Sequence, residues 1–112
     1  MLNQVVIVGR LVQDPEIKEL ENDKKVGYIT LAVQRPYKNV DGIYETDFIK
    51  CQLWNGIAQN TTEFCKKGDV LGVKGRLQSE NYEESEEKKT KLILVAEKVT
   101  FLSSRKKDEE NE

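Results

Sequence analysis

Apolar and polar residues alternate with period two over TDFIKCQLW, residues 46–54. Ile49, Cys51 and Leu53 fall on one side of this predicted strand, and Phe48, Lys50, Gln52 and Trp54 on the other. The first set is an ordinary core face. The second carries two large rings and a lysine where a strand should meet solvent. Flat rings interleaved with a cation suit unpaired nucleotides, because bases stack on the rings and the amine meets phosphate. The same residues would also serve as a second buried face, with the stem of Lys50 covering Phe48. The strand alone leaves both readings open.

The rest of the chain reads mostly as strand. Residues 2–12 are almost continuously apolar, which predicts a strand covered on both faces, with Gly9 at a barrel corner. Asp14-Pro15 ends it, and residues 20–25 form a polar turn. A second strand is predicted over 25–35, with Ile29, Leu31 and Val33 inward, stopped by Pro36 and followed by a turn over 39–42. The strand at 46–54 is the third. The period then changes. Ile57, Thr61, Phe64 and Cys65 fit one helical face, Asn55 suits the N-cap, and Lys66, Lys67 and Gly68 suit a helix end. A fourth strand over 69–82 contains Gly72 and Gly75, where a curved strand could bend, and a fifth spans 91–102. This pattern alone is compatible with a small barrel or sandwich carrying one helix.

A chain of 112 residues makes one domain with a small core, which oligomerisation would help to stabilise. The net charge of −2 and a pI near 5.4 argue against a partner held by charge alone. They leave room for a groove that binds partly by stacking. Histidine is absent, which removes the commonest acid–base group and metal ligand. Cys51 and Cys65 cannot close a zinc site by themselves and read as small buried groups, with no disulfide expected. No catalytic constellation and no phosphate-cradling GKS or GKT motif is present, so neither enzyme activity nor a cofactor or metal is expected. Without a signal sequence or a membrane-length apolar run, the chain is expected to be cytoplasmic, with no membrane partner.

Several motifs in order carry a family resemblance: VGRL with DPE after it, ITLAV, DFIKCQLW, KKGD, GRLQSENY, and a last strand ending VTFL. Over residues 1–102 the chain resembles the bacterial single-stranded DNA-binding protein family. The resemblance implies an all-β fold with one helix: a five-stranded oligonucleotide-binding barrel with the helix between the third and fourth strands. It also implies a nucleoid-associated homotetramer that coats and protects single-stranded DNA in replication, recombination, repair or uptake. Family members commonly continue through a Gly/Gln/Pro-rich linker to an acidic tip. Residues 103–112, SSRKKDEENE, read instead as a disordered charged tail. The chain thus looks like the short-tailed paralogues associated with DNA uptake, and no tail-tip recruitment of repair or replication proteins is expected.

Carried over by motif, the family's base-stacking positions fall on Tyr37, Phe48, Trp54 and Tyr82, all aromatic here. For Tyr37 and Tyr82 the alternative is a half-exposed loop tyrosine, and for Trp54 core packing. Phosphate contacts need cations beside the rings. Arg35, Lys38, Lys50, Lys74 and Arg76 are best placed, with Arg10 next. Each alone could be a solvated surface charge. One departure concerns NYEESEEKKTK at 81–91, where Glu83, Glu84, Glu86 and Glu87 sit on the expected DNA path. They either repel phosphate or pair with Lys88, Lys89 and Lys91 across a hairpin. Weaker or more salt-sensitive binding is expected in both cases. A rival function is a protein-interaction adaptor of a primosome-like assembly on the same barrel. The four rings count against it, since an adaptor has no need of base-stacking positions.

Overall fold

The computed structural model describes residues 1–104. The expected tail at 103–112 lies outside the described residues except for its first two, and Ser103 still belongs to the last strand. In order the elements are β1 (Val5–Leu11), β2 (Glu16–Glu19), β3 (Lys25–Lys38), β4 (Tyr44–Trp54), α1 (Asn55–Phe64), β5 (Val70–Glu84) and β6 (Glu87–Ser103). The sheet runs β1-β5-β6-β4-β3-β2, and a further β1–β3 pairing closes five of these strands into a barrel. The oligonucleotide-binding fold is therefore present, with α1 between β4 and β5 as expected. β2 is an addition outside the barrel, a short edge strand on β3. Its one apolar residue, Ile17, was too little pattern to predict it.

Closure depends on β1 crossing directly over β3, where Arg10 faces Ala32 and Leu11 faces Leu31. A Cβ on Gly9 would stand 2.7 Å from the Ala32 carbonyl oxygen, so only glycine permits this crossing. The interior holds Leu11, Ile29, Leu31, Cys51, Leu53 and Leu71, with Ala58 of α1 packed against them. Each fully buried leucine or isoleucine contributes about 1.5–3 kcal/mol. The predicted inward phases of the second and third strands are the observed ones. Burial pushes the Cys51 thiol up to about 12 and raises that of Cys65 as well, so both are poor nucleophiles.

Five local expectations change. β1 is not covered on both faces: Val6 is 67% exposed and Val8 52%, because no other part of the described chain lies over that side. Pro36 does not stop its strand. The β3–β4 register shifts between Gln34 and Lys38, and an irregularity tolerates a residue with no N–H to give. Asn55 is not the N-cap. Trp54 holds that position without a side-chain cap, while the Asn55 amide oxygen accepts from the Lys25 backbone N–H at 3.1 Å. Phe64 is 71% exposed, since the buried face runs Ala58, Thr61 and then Cys65 beyond the helix end. The hairpin strands are longer than expected and meet at Ser85-Glu86, with φ of 53° and 67°. Such turns usually announce themselves by Gly or Asn, which this one lacks.

Candidate nucleic-acid interface

Four cross-strand pairs build the outward face of β3 and β4: Val26 with Trp54, Tyr28 with Gln52, Thr30 with Lys50, and Ala32 with Phe48. Directly opposed residues share a face. Ala32 is too small to cover the ring opposite it, and Phe48 is 68% exposed. Lys50 lies over Tyr28, not Phe48, with its ammonium 4.6 Å from the ring centre. Trp54 is half-buried and donates its indole N–H to the Gln52 carbonyl oxygen at 2.8 Å. The Gln52 amide nitrogen in turn donates to the Tyr28 hydroxyl at 3.2 Å. Gln52 is the one β4 residue of this face that is buried, as Val26 is on β3, so the second-buried-face reading holds there and fails at Phe48 and Lys50. Tyr28 is a ring that the sequence reading missed. Its phase, opposite to Ile29 and Leu31, was the signal that could have found it.

The face continues onto the β5–β6 ribbon. Gln52 pairs with Val95, and Val95 with Arg76, so Arg76 lies two strand spacings, about 10 Å, from Gln52. Arg76 donates to the Gln78 amide oxygen at 2.9 Å. Further out on that side, Glu80 faces Lys91 and Tyr82 faces Lys89. The Lys91 ammonium stands 5.6 Å from the centre of the Tyr82 ring. Lys91, assigned above only to the glutamates, is thus a cation beside a ring. Lys74 sits apart, between Val6 and Lys98 on the β1 side.

A second cluster occupies the far end of the β3–β4 ribbon. Tyr37 is exposed there, and Lys38 lies over Tyr44, another ring outside the sequence reading, at 5.6 Å. Arg35 is occupied. Its guanidinium donates to Asp47 at 2.9, 3.1 and 3.3 Å and also binds Glu45. One cation between two carboxylates leaves the trio with a net negative charge. Hydrogen bonding and charge hold the Asp47 carboxyl below its usual range and raise Arg35. Asp47 alternates with Phe48 along β4, so the trio emerges on the opposite side of the strand from that ring.

Arg10 shares Phe48's row through Ala32, and it donates to the Gly68 carbonyl at 2.6 Å. The KKGD turn fastens the end of β1. Gly68 and Leu11 exchange one backbone bond, Leu11 and Asp69 another, and the Asp69 carboxylate accepts from the Lys66 N–H at 2.8 Å. On the acidic hairpin Glu83 faces Lys88, and Glu84 meets Lys89 at 3.5 Å.

A model described as the single-strand binding protein family matches residues 2–102. The chain belongs to this family. Single-stranded DNA-binding protein 3 of Listeria innocua is 46% identical over 106 residues, 94% of this chain and 66% of that protein. Single-stranded DNA-binding protein A of Bacillus subtilis is 47% identical over 103 residues, 91% of this chain and 60% of the relative. Single-stranded DNA-binding protein B of the same organism is 44% identical over 86 residues, 77% of this chain and 76% of the relative. The chain spans about two thirds of the length of most of these relatives. No described helix is long and apolar enough to cross a membrane.

Proposed function

We propose that the protein binds single-stranded DNA with little sequence preference and coats it, in the cytoplasm, wherever replication, recombination, repair or uptake exposes it. The observation that carries this reading is the outward row of Phe48, Lys50 and Trp54 in a chain whose relatives are named for single-stranded DNA binding. Bases stack on Phe48 and Trp54 and, further along, on Tyr82 and Tyr37. Lys50, Arg76 and Lys38 meet phosphate, while Lys74, opposite Val6 on the outer side of β1, lies apart from the rings and is left out. Arg35 contributes only if phosphate displaces Asp47, and Arg10 while keeping its bond to Gly68. A binding module of this kind needs no catalytic group. The test is an oligo-dT titration followed by the fluorescence of Trp54, the single tryptophan. Saturable quenching is expected, and no binding by fluorescence or gel shift would overturn the proposal.

The salt dependence separates the cations. With Arg35 retained by Asp47 and Lys74 on the β1 side, three of the five best-placed cations remain, and the log–log slope is expected at about −2.1. Release of Arg35 moves it toward about −2.8, and a slope near zero removes the cations from the mechanism.

The assembly is proposed to be a homotetramer. Supporting it is the outward side of β1, where Val6 and Val8 lie exposed and Gly72, Thr100 and Leu102 cluster beside Val8. A chain with a small core gains from burying such a face between copies. Sedimentation is expected to give a tetramer, and Val6→Asp with Val8→Asp a smaller species. A wild-type monomer at micromolar concentration would overturn this.

A further inference from the structure

Gln52 is a polar side chain on the outward face of a strand, yet it is only 5% exposed. Its neighbours along and across the sheet account for this. Trp54 is two residues further on the same side, Tyr28 is directly opposite on β3, and Val95 is beside it on β6. The carbonyl oxygen takes the indole N–H at 2.8 Å, and the amide nitrogen gives to the phenol oxygen at 3.2 Å. The amide has only one workable orientation. An indole nitrogen is a donor and nothing else, so the group facing it must be the carbonyl. That turns the NH2 toward Tyr28, whose oxygen can accept. Tyr28 also carries Lys50 over its ring at 4.6 Å. A single chain of contacts thus runs from Lys50 through Tyr28 and Gln52 to Trp54, joining a cation to a ring.

We propose that Gln52 is a positioning residue for DNA binding, with Tyr28 as its support. It tethers the edge of the Trp54 indole to the sheet and so holds the ring ready before a base arrives. This rests on the reading of Trp54 as a stacking residue. A ring fixed in advance loses less rotational freedom on binding, which strengthens the complex although Gln52 itself touches no base. The covered position of Gln52 beneath its neighbours is why its action runs through Trp54.

Time-resolved fluorescence anisotropy of Trp54 in the free protein reads the tether directly. Gln52→Met keeps the length of the side chain and removes both hydrogen bonds. It is expected to add a fast depolarising component and to weaken oligo-dT binding about threefold to tenfold. The salt slope should stay as it is, because no cation is lost. In a Trp54→Phe background, which has no indole N–H, Gln52→Met should change affinity less than about twofold. Gln52→Glu can accept from both the indole and the phenol, and is expected to restore the slow decay in the free protein. Tyr28→Phe, a milder change, should loosen the ring partly and serves if Gln52→Met does not fold. Unchanged anisotropy in both Gln52→Met and Tyr28→Phe, or an equal loss of affinity in the Trp54→Phe background, would overturn the inference. Failure of the wild type to bind oligo-dT would instead overturn the proposed function, and the anisotropy of the free protein would still decide the tether.

Discussion

Phe48→Ala is expected to weaken oligo-dT binding by about 1–3 kcal/mol while leaving thermal unfolding nearly where it was. The ring is 68% exposed, so its removal takes little buried area from the barrel. What disappears is a flat surface on which a base can lie, beside Lys50 on the same strand face. Trp54→Ala should cost a similar amount in binding and, unlike Phe48→Ala, should also lower stability. Its indole is half-buried, and truncation leaves the covered Gln52 carbonyl without its donor, a loss of about 1–3 kcal/mol. Fluorescence cannot follow that variant, so calorimetry or a labelled oligonucleotide reads it. If Phe48→Ala destabilises the fold as much as it weakens binding, the ring is packing and the stacking role is wrong.

Gly75→Ala is expected to destabilise the barrel by about 3 kcal/mol, the upper part of the range for overpacking. A Cβ there would stand 2.1 Å from the Val95 carbonyl oxygen and 2.9 Å from Leu94 Cδ2. The backbone must move, because the nearer contact is itself backbone. The site coincides with the register shift between Lys74 and Gly75, where β5 bends across β6. Gly72→Ala provides the contrast. Its nearest neighbour would be Leu102 Cδ1 at 3.7 Å, an ordinary contact, and the change should stay within about 0.5 kcal/mol. Denaturant unfolding at matched protein concentration measures both, since assembly makes apparent stability depend on concentration. Equal effects at the two glycines would refute the claim that close strand approach selects Gly75.

The two glycines illustrate what could be read from the chain alone. Both looked like bend positions, but only the path of β6 over β5 distinguishes them. The order of strands and helix was legible because it rests on local periodicity. A period of two puts Cys51 and Leu53 inside and Phe48 outside, whatever the rest of the molecule does. The exposure of Phe48 was legible for the same reason. The ends of elements were less so: Pro36 sits within its strand, Asn55 binds Lys25 and caps nothing, and Ser85-Glu86 turns without glycine or asparagine. The Asn55 contact was decided by a partner 30 residues away, and the other two by how neighbouring strands meet across a hairpin.

By itself, then, the sequence determined the succession of elements apart from β2, the inward and outward phases of β3 and β4, and where Phe48 and Trp54 fall on those phases. Family membership followed from motifs in a fixed order. Register across strands, which no local pattern encodes, decided the rest. It set Asp47 and Glu45 on Arg35, taking up a cation that looked free, and brought Lys50 to Tyr28. It buried Gln52 on a face expected to be wet, and left Val6 and Val8 bare in a strand expected to be covered. The physical reason is common to all four. Whether a charge is neutralised or a side chain is covered depends on what the neighbouring strand places within about 5 Å of it, and only the folded chain chooses that neighbour.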